Sequence, residues 1–316
     1  AAVNASTQSP PGGIIEKDKK GEPSGVFFNH PAMDVLRKAA PPITSEMTRE
    51  GILSVQPLAA AMGMTCFHDN NIRDLNTIRI YQELARSGKM YLRSVLYYTL
   101  EYPQNLENIT QIDHYEDALT RFAGYKFLID GSGFTAYCHE KHNGVTWKNT
   151  TWEANAYKRA IRALHDAGGQ ISAHCIGDAA VDLTLDAYEE AMNANPRADP
   201  RHRIEHAVLT KPQATTRMRD MGILIHTNPQ FLYIFGGGFV QIFGEHRAER
   251  IIPAREWLES GVHLSIGSDA PSCPWYAPCA TLAGAMNRMA YTKQVIGGDQ
   301  ALSFMEALRA HTREAV

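Results

Sequence analysis

The sequence lacks the features that mark several large classes of protein. No apolar run approaches the roughly 18 residues that a bilayer-spanning helix needs, so a membrane protein is not expected. The first residues, Ala1-Ala-Val-Asn-Ala-Ser6, have neither the basic nor the apolar stretch of a secretory signal. Cysteine is scarce and irregularly spaced. Cys66, Cys138, Cys175, Cys273 and Cys279 are odd in number, which argues against a disulfide framework and for a reducing, cytoplasmic setting. An excess of one charge is missing too: 31 basic residues against 34 acidic ones give a net charge of -3, with the signs interspersed. That leaves no basic stripe for a phosphate backbone, so neither nucleic acid nor membrane is an expected partner. There is no low-complexity tract and no close internal repeat.

With 316 residues, 44% of them hydrophobic, the chain can bury a large core. Residues 1–44 form an entry segment of short strands and turns, rich in Pro, Gly and Lys, as in Pro10-Pro-Gly-Gly13 and Lys17-Asp-Lys-Lys-Gly-Glu-Pro-Ser-Gly25. From residue 45 to 316 strand-like and helix-like segments alternate. A helix is expected near Thr48, with Ile52, Val55, Leu58, Ala59 and Met62 as its apolar stripe, Pro57 as a kink and Gly63 as its stop. Strands are expected at 64–69, 91–97, 124–129, around His174, around His206, at 223–227 and before Asp269. The helices between them are expected at 74–86, 111–122, 152–167, 179–192 (N-capped by Asp178), 212–221 and 254–260, with closing helical segments from Leu282 and Ser303. Long loops are expected up to Asn149 and around Gly236-Gly-Gly238. Alternating strands and helices imply an α/β fold with a parallel sheet. Seven such strands imply a (β/α) TIM-type barrel one stave short of eight.

Four apolar runs end in side chains with chemical potential: Tyr125-Lys-Phe-Leu-Ile-Asp130, Ile171-Ser-Ala-His-Cys-Ile-Gly-Asp178, Arg203-Ile-Glu-His-Ala207 and His263-Leu-Ser-Ile-Gly-Ser-Asp-Ala-Pro271. In a barrel the C-terminal strand ends converge on one mouth, so Lys126, His174, His206 and Asp269 are read together as a metal-binding and catalytic set. Their bland readings stay open: a Lys126 paired with Asp130, hydrogen-bonded core histidines, and an Asp269 that merely caps its turn. His68, Tyr97 and His226 are candidates for substrate contact, with structural roles as the alternative for each. Arg203 is expected to pair with Glu205. Tyr97, Trp275 and the segment 231–239 offer an apolar wall or simple loop packing. Cys175 should point away from His174 by strand alternation.

These runs, with His202-Arg-Ile-Glu-His-Ala207, Gly244-Glu-His-Arg-Ala248 and Gly267-Ser-Asp-Ala-Pro271, resemble the amidohydrolase superfamily, and within it the N-substituted formamide deformylase-like branch, amidohydrolase family 3. The resemblance runs from the entry segment to near the last residue. It implies a metal-dependent hydrolase of C–N bonds in a small amide, formamide or cyclic imide. It also implies that Lys126 holds the place of the strand-four lysine that can be carboxylated to bridge two metal ions, that His174 and His206 are ligands, and that Asp269 binds metal and shuttles the proton. The implied cofactor is Zn²⁺ or another divalent ion, one or two per chain. The chain departs from the family in lacking the His-x-His of the first barrel strand; its nearest pattern is His139-Glu-Lys-His142. An internal piece of a longer gene product is therefore expected, with open strand edges that favour self-association into a homo-oligomer. Two rival readings remain, a catalytically inert truncated barrel and a Schiff-base lyase using Lys126 as its amine.

Overall fold

The entry segment opens with an antiparallel ribbon of β1 (Ile14–Lys17) and β2 (Pro23–Phe28), followed by α1 (Asn29–Arg37). Asp18 builds the turn of the ribbon, its carboxylate accepting from the Lys20 and Glu22 amides. The computed structural model describes residues 3–101, 106–107, 109, 111–140, 150–273 and 277–315, so His142 and Trp275 lie outside the described residues.

Helix α2 (Ser45–Ala61) starts earlier than its apolar pattern suggests, because the Thr44 hydroxyl caps it by accepting from the Met47 amide. Its buried face also differs from the expected stripe. Ile52, Gln56 and Ala59 are buried, whereas Val55 and Leu58 are exposed. Gln56 takes that place because its amide donates to the Lys89 carbonyl and accepts from the Tyr91 amide, tying α2 to the chain ahead of the second strand of the large sheet.

From there strand and helix alternate: β3 (Cys66–Ile72), α3 (Leu75–Arg86), β4 (Arg93–Leu100), β5 (Thr120–Leu128), α4 (Ala154–Asp166), β6 (Gln170–Cys175), α5 (Asp178–Ala194), β7 (Arg203–His206), α6 (Pro212–Met221), β8 (Leu224–Thr227), α7 (Phe231–Phe243), α8 (Glu245–Ala248), α9 (Ala254–Glu259), β9 (Leu264–Ile266), α10 (Pro278–Asn287) and α11 (Phe304–His311). The seven strands β3 to β9 form one parallel sheet in strict sequence order. It curls: Arg203 on β7 reaches back to β3, its Nη1 3.0 Å from His68 Nδ1, and its guanidinium lies 4.8 Å over the Tyr97 ring of β4. The result is an incomplete TIM-type barrel in which β3 and β9 are not hydrogen-bonded to each other. Among the described residues, no helix is long and apolar enough to cross a membrane.

Alternation along the strands separates two environments. Leu96, Tyr98, Phe127, Ile129, Ile171, Ala173, Cys175, Ile204 and Ile225 are buried in the apolar core between sheet and helices, where Tyr157, Ile161 and Leu164 of α4 and Val181, Leu185 and Tyr188 of α5 join them. Fully burying one such aliphatic or aromatic side chain contributes roughly 1.5–3 kcal/mol. The other face is polar: Lys126, Ser172, Arg203 and Glu205 are all buried there.

Three expected elements need correction. Residues 111–122 hold no α-helix among those described. The Asp117 carboxylate accepts from the Leu119 and Thr120 amides, a local turn that competes with helix and launches β5 at Thr120. The expected loop at 231–239 is helical despite its three glycines, because Phe231, Phe235, Phe239 and Phe243 recur every fourth residue and their rings touch in series. Asp178 is the first residue of α5 and does not cap it; the N-cap is Gly177, and Asp178 accepts from the His139 amide.

Candidate metal centre

His174, near the C-terminal end of β6, and His206, the last residue of β7, meet edge to face with ring centroids 4.6 Å apart. His206 follows Glu205 directly, so regular alternation would send the two side chains to opposite faces of the sheet. The chain escapes this because His206 and Ala207 both adopt left-handed backbone, with φ of 70° and 45°. Such conformations are costly for side-chain-bearing residues and are held by their surroundings. Here the Thr227 hydroxyl donates to the His206 carbonyl at 2.7 Å.

Each imidazole is anchored through one nitrogen. His174 Nε2 lies 3.2 Å from the Gly131 carbonyl, an atom that only accepts, so the proton sits on Nε2 and Nδ1 is bare. His206 Nδ1 lies 2.6 Å from Asn228 Oδ1, which leaves Nε2 bare. Burial lowers the basicity of both rings, His174 well below the usual histidine range, and their mutual proximity and that of Lys126 act on His174 in the same sense. Two neutral imidazoles with free lone pairs suit a divalent ion.

Lys126, on the polar face of β5, is 5% exposed and has no hydrogen-bond or ion-pair partner among the described residues. The alternative pairing with Asp130 does not occur. Asp130 instead accepts from the backbone amides of Tyr137, Ile176 and Gly177, and burial still pushes its carboxyl up to about 7. Burial lowers the Lys126 ammonium, opposed by Glu205 and Asp269. Asp269 stands just past β9 in left-handed backbone, φ 53°, within electrostatic reach of Lys126 and His206. Among the described residues no three His, Cys, Asp or Glu side chains already converge as a metal-binding group. The donors thus fit a divalent ion in kind: two facing imidazoles, with the Asp269 carboxylate and Lys126 beside them.

The other candidates lie deeper. His68 is the third residue of β3, which continues to Ile72, so it is not at a strand end; its Nδ1 accepts from Arg203. Tyr97 is 1% exposed, stacked beneath Arg203, with its hydroxyl on Gln170, in a layer below Lys126. His226 is half-buried and bonds Ser265 at 2.9 Å. Its ring occupies the space where a side chain on Gly267 would stand, Nε2 being 2.6 Å from a Cβ built there. Arg203 pairs with Glu205 as expected. Cys175 faces α5, bonding Ala180 and Thr184, and burial holds its thiol well above the usual range.

Asn228 and a cluster at the rim were not among the expected site residues; in that cluster Glu101, just past β4, ion-pairs with Arg73 at 3.0 Å, and the Arg73 guanidinium also donates to His30 Nδ1 at 2.9 Å. A polar residue immediately after a strand was the available signal for Asn228 and Glu101. Phe231 stacks on His206 at 5.5 Å, so the phenylalanine series of α7 begins at the candidate centre.

Comparison with known proteins places these features in a family. The chain is 28% identical to the N-substituted formamide deformylase of Arthrobacter pascens, over 98% of this chain and 59% of that protein. It therefore spans less than two thirds of that relative's length. A solved structure of an uncharacterized metal-dependent hydrolase from Pyrococcus horikoshii OT3 superposes with a TM-score of 0.79 at 23% identity, over 96% of this chain and 61% of that one. Atrazine chlorohydrolase TrzN from Arthrobacter aurescens TC1, solved with zinc, shares the fold more distantly, with a TM-score of 0.51 at 15% identity over 86% of this chain and 58% of that one. The family model described as "Amidohydrolase family" matches residues 1–315, and this chain, with its curled parallel sheet and paired strand-end histidines, belongs to that family.

Proposed function

We propose that this chain forms the hydrolytic core of a metal-dependent enzyme that cleaves the C–N bond of a small amide, formamide or cyclic imide. The observation that carries the reading is the pairing of His174 and His206, each anchored by one nitrogen and bare at the other. A divalent ion held there, with zinc the first choice on imidazole chemistry, supplies Lewis acidity and a more acidic water. Asp269 accepts the proton of the attacking water and returns it to the departing nitrogen, which leaves as a neutral amine. Lys126, buried and without a side-chain partner among the described residues, is an amine whose neutral form can add CO₂. Loss of the N–H proton then leaves a carbamate, which converts a poor ligand into an anionic oxygen donor beside the histidines. The exposed Phe235 and Tyr233 of α7 offer apolar surface to the substituent of the amide.

The test is zinc loading of the purified chain, measured by elemental analysis, with the double variant His174→Ala/His206→Ala alongside. Near-stoichiometric zinc in the parent and none in the variant is expected, together with amide hydrolysis that a chelator abolishes. Equal zinc in both proteins would sink the assignment. A Schiff-base lyase would draw on the neutral form of Lys126, and borohydride trapping of a carbonyl substrate on Lys126 in metal-free protein would favour it.

A further inference from the structure

The dipeptide at the end of β8 makes an unusual set of bonds. Thr227 Oγ1 donates to the His206 carbonyl at 2.7 Å, and the Thr227 carbonyl accepts from the Gly267 amide at 3.0 Å. Asn228 repeats the same pattern with its side chain, Oδ1 against His206 Nδ1 at 2.6 Å and Nδ2 donating to the Gly267 carbonyl at 3.1 Å. Four hydrogen bonds from two adjacent residues therefore join the left-handed turn at His206 to the segment that leads into Asp269. Both residues are buried, Thr227 at 0% and Asn228 at 2% exposure, so water does not compete for these bonds.

The bonds also decide a proton position. The Gly267 carbonyl can only accept, so the amide nitrogen of Asn228 must face it and the amide oxygen must face His206. An oxygen acceptor against Nδ1 requires the proton on Nδ1. Phe231, stacked on the ring with an interplanar angle of 21°, fixes the plane in which the imidazole lies. We propose that Asn228, braced by Thr227, is a positioning residue: it holds His206 in the Nδ1–H tautomer, leaves Nε2 as the bare nitrogen, and ties that histidine to the Gly267–Asp269 turn. The consequence for metal binding rests on the proposal that His206 is a ligand; the tautomer does not. A ligating histidine whose second nitrogen loses its partner typically loses about 10–100-fold in metal affinity.

The experiment reads the two parts separately. Long-range ¹⁵N–¹H correlation of the His206 ring is recorded in the metal-free 316-residue chain above pH 8, for the parent, Asn228→Asp and Asn228→Ala, and zinc affinity is then titrated for each. The parent and Asn228→Asp, which keeps an acceptor, are expected in the Nδ1–H form. Asn228→Ala is expected to populate the Nε2–H form and to bind zinc about 10–100-fold more weakly. A parent in the Nε2–H form overturns the proposal with no variant needed, and so does a folded Asn228→Ala that keeps the parental tautomer. A tautomer that shifts in a chain whose parent binds no zinc upholds the positioning role and rejects the metal reading.

Discussion

Replacing Glu205 by Gln tests the account of the barrel interior most directly. Arg203 and Glu205 are 6% and 2% exposed, and the guanidinium Nε donates to Glu205 Oε1, which also accepts from Ser172 Oγ at 2.6 Å. Burial disfavours the Glu205 carboxylate, but the Arg203 charge overrides this and holds the carboxyl well below its usual range. Removing the negative charge leaves Arg203 with the His68 imidazole and the Tyr97 ring face as its remaining partners. Breaking one side of a buried pair costs about 3–5 kcal/mol. Gln keeps a carbonyl acceptor, so the low end, about 3 kcal/mol, is expected. An unfolding entropy of about 2.1 cal/mol/K per residue converts this, for a chain of this length, to a drop in Tm of about 4–5 °C. Urea unfolding and calorimetry of the parent, Glu205→Gln and the double variant Arg203→Met/Glu205→Leu provide the assay. The double variant should recover most of the loss, because the uncompensated charge is gone. A Glu205→Gln protein within about 0.5 kcal/mol of the parent would refute the argument, since it would mean that Arg203 needs no counter-charge.

Further outcomes follow from the same interior. Burial lowers the histidine pKa of His30 and His226 to about 4 and of His68 and His202 to about 3. Between those values and the unfolded 6.5 the unfolded chain binds more protons, so stability is present above pH 6.5 and is lost as pH falls, by about 2 kcal/mol at pH 5 for fully buried His202 alone. A urea midpoint unchanged between pH 7 and pH 5 would contradict this. Gly267→Ala drives a Cβ to 2.6 Å from His226 Nε2, and overpacking of about 1–3 kcal/mol should appear in the same unfolding assay. Phe235→Ala, at the exposed middle of the α7 ring series, should raise KM several-fold for amides with a large apolar substituent and leave kcat unchanged; equal effects on a small formamide would remove the apolar-subsite role.

The strand ends were legible because buried parallel strands are written as apolar runs, against which Lys126, His174 and His206 stand out. Several features were not. His206 and Glu205 share the barrel interior only because of positive φ at residue 206, which no alternation rule foresees. The α7 helix was hidden by three consecutive glycines, although its phenylalanines already carried the four-residue period. His68 falls in mid-strand because β3 runs beyond the expected end at Asp69, through Asn70 and Asn71 to Ile72. Asn228 shows in the sequence only as a polar residue just past a strand, since its role depends on one donor, His206 Nδ1–H, and one acceptor, the Gly267 carbonyl, brought near by distant parts of the chain.

The strict order of the sheet bears on how the chain reaches this form. Each strand pairs with the one made immediately before it, so the sheet can grow stave by stave as the polypeptide is synthesised, without waiting for distant partners. The Arg203–His68 bond is of another kind, joining residues 135 positions apart. It can form only after five strands of the sheet, β3 to β7, have been laid down, so this closure across the interior waits on a long-range contact.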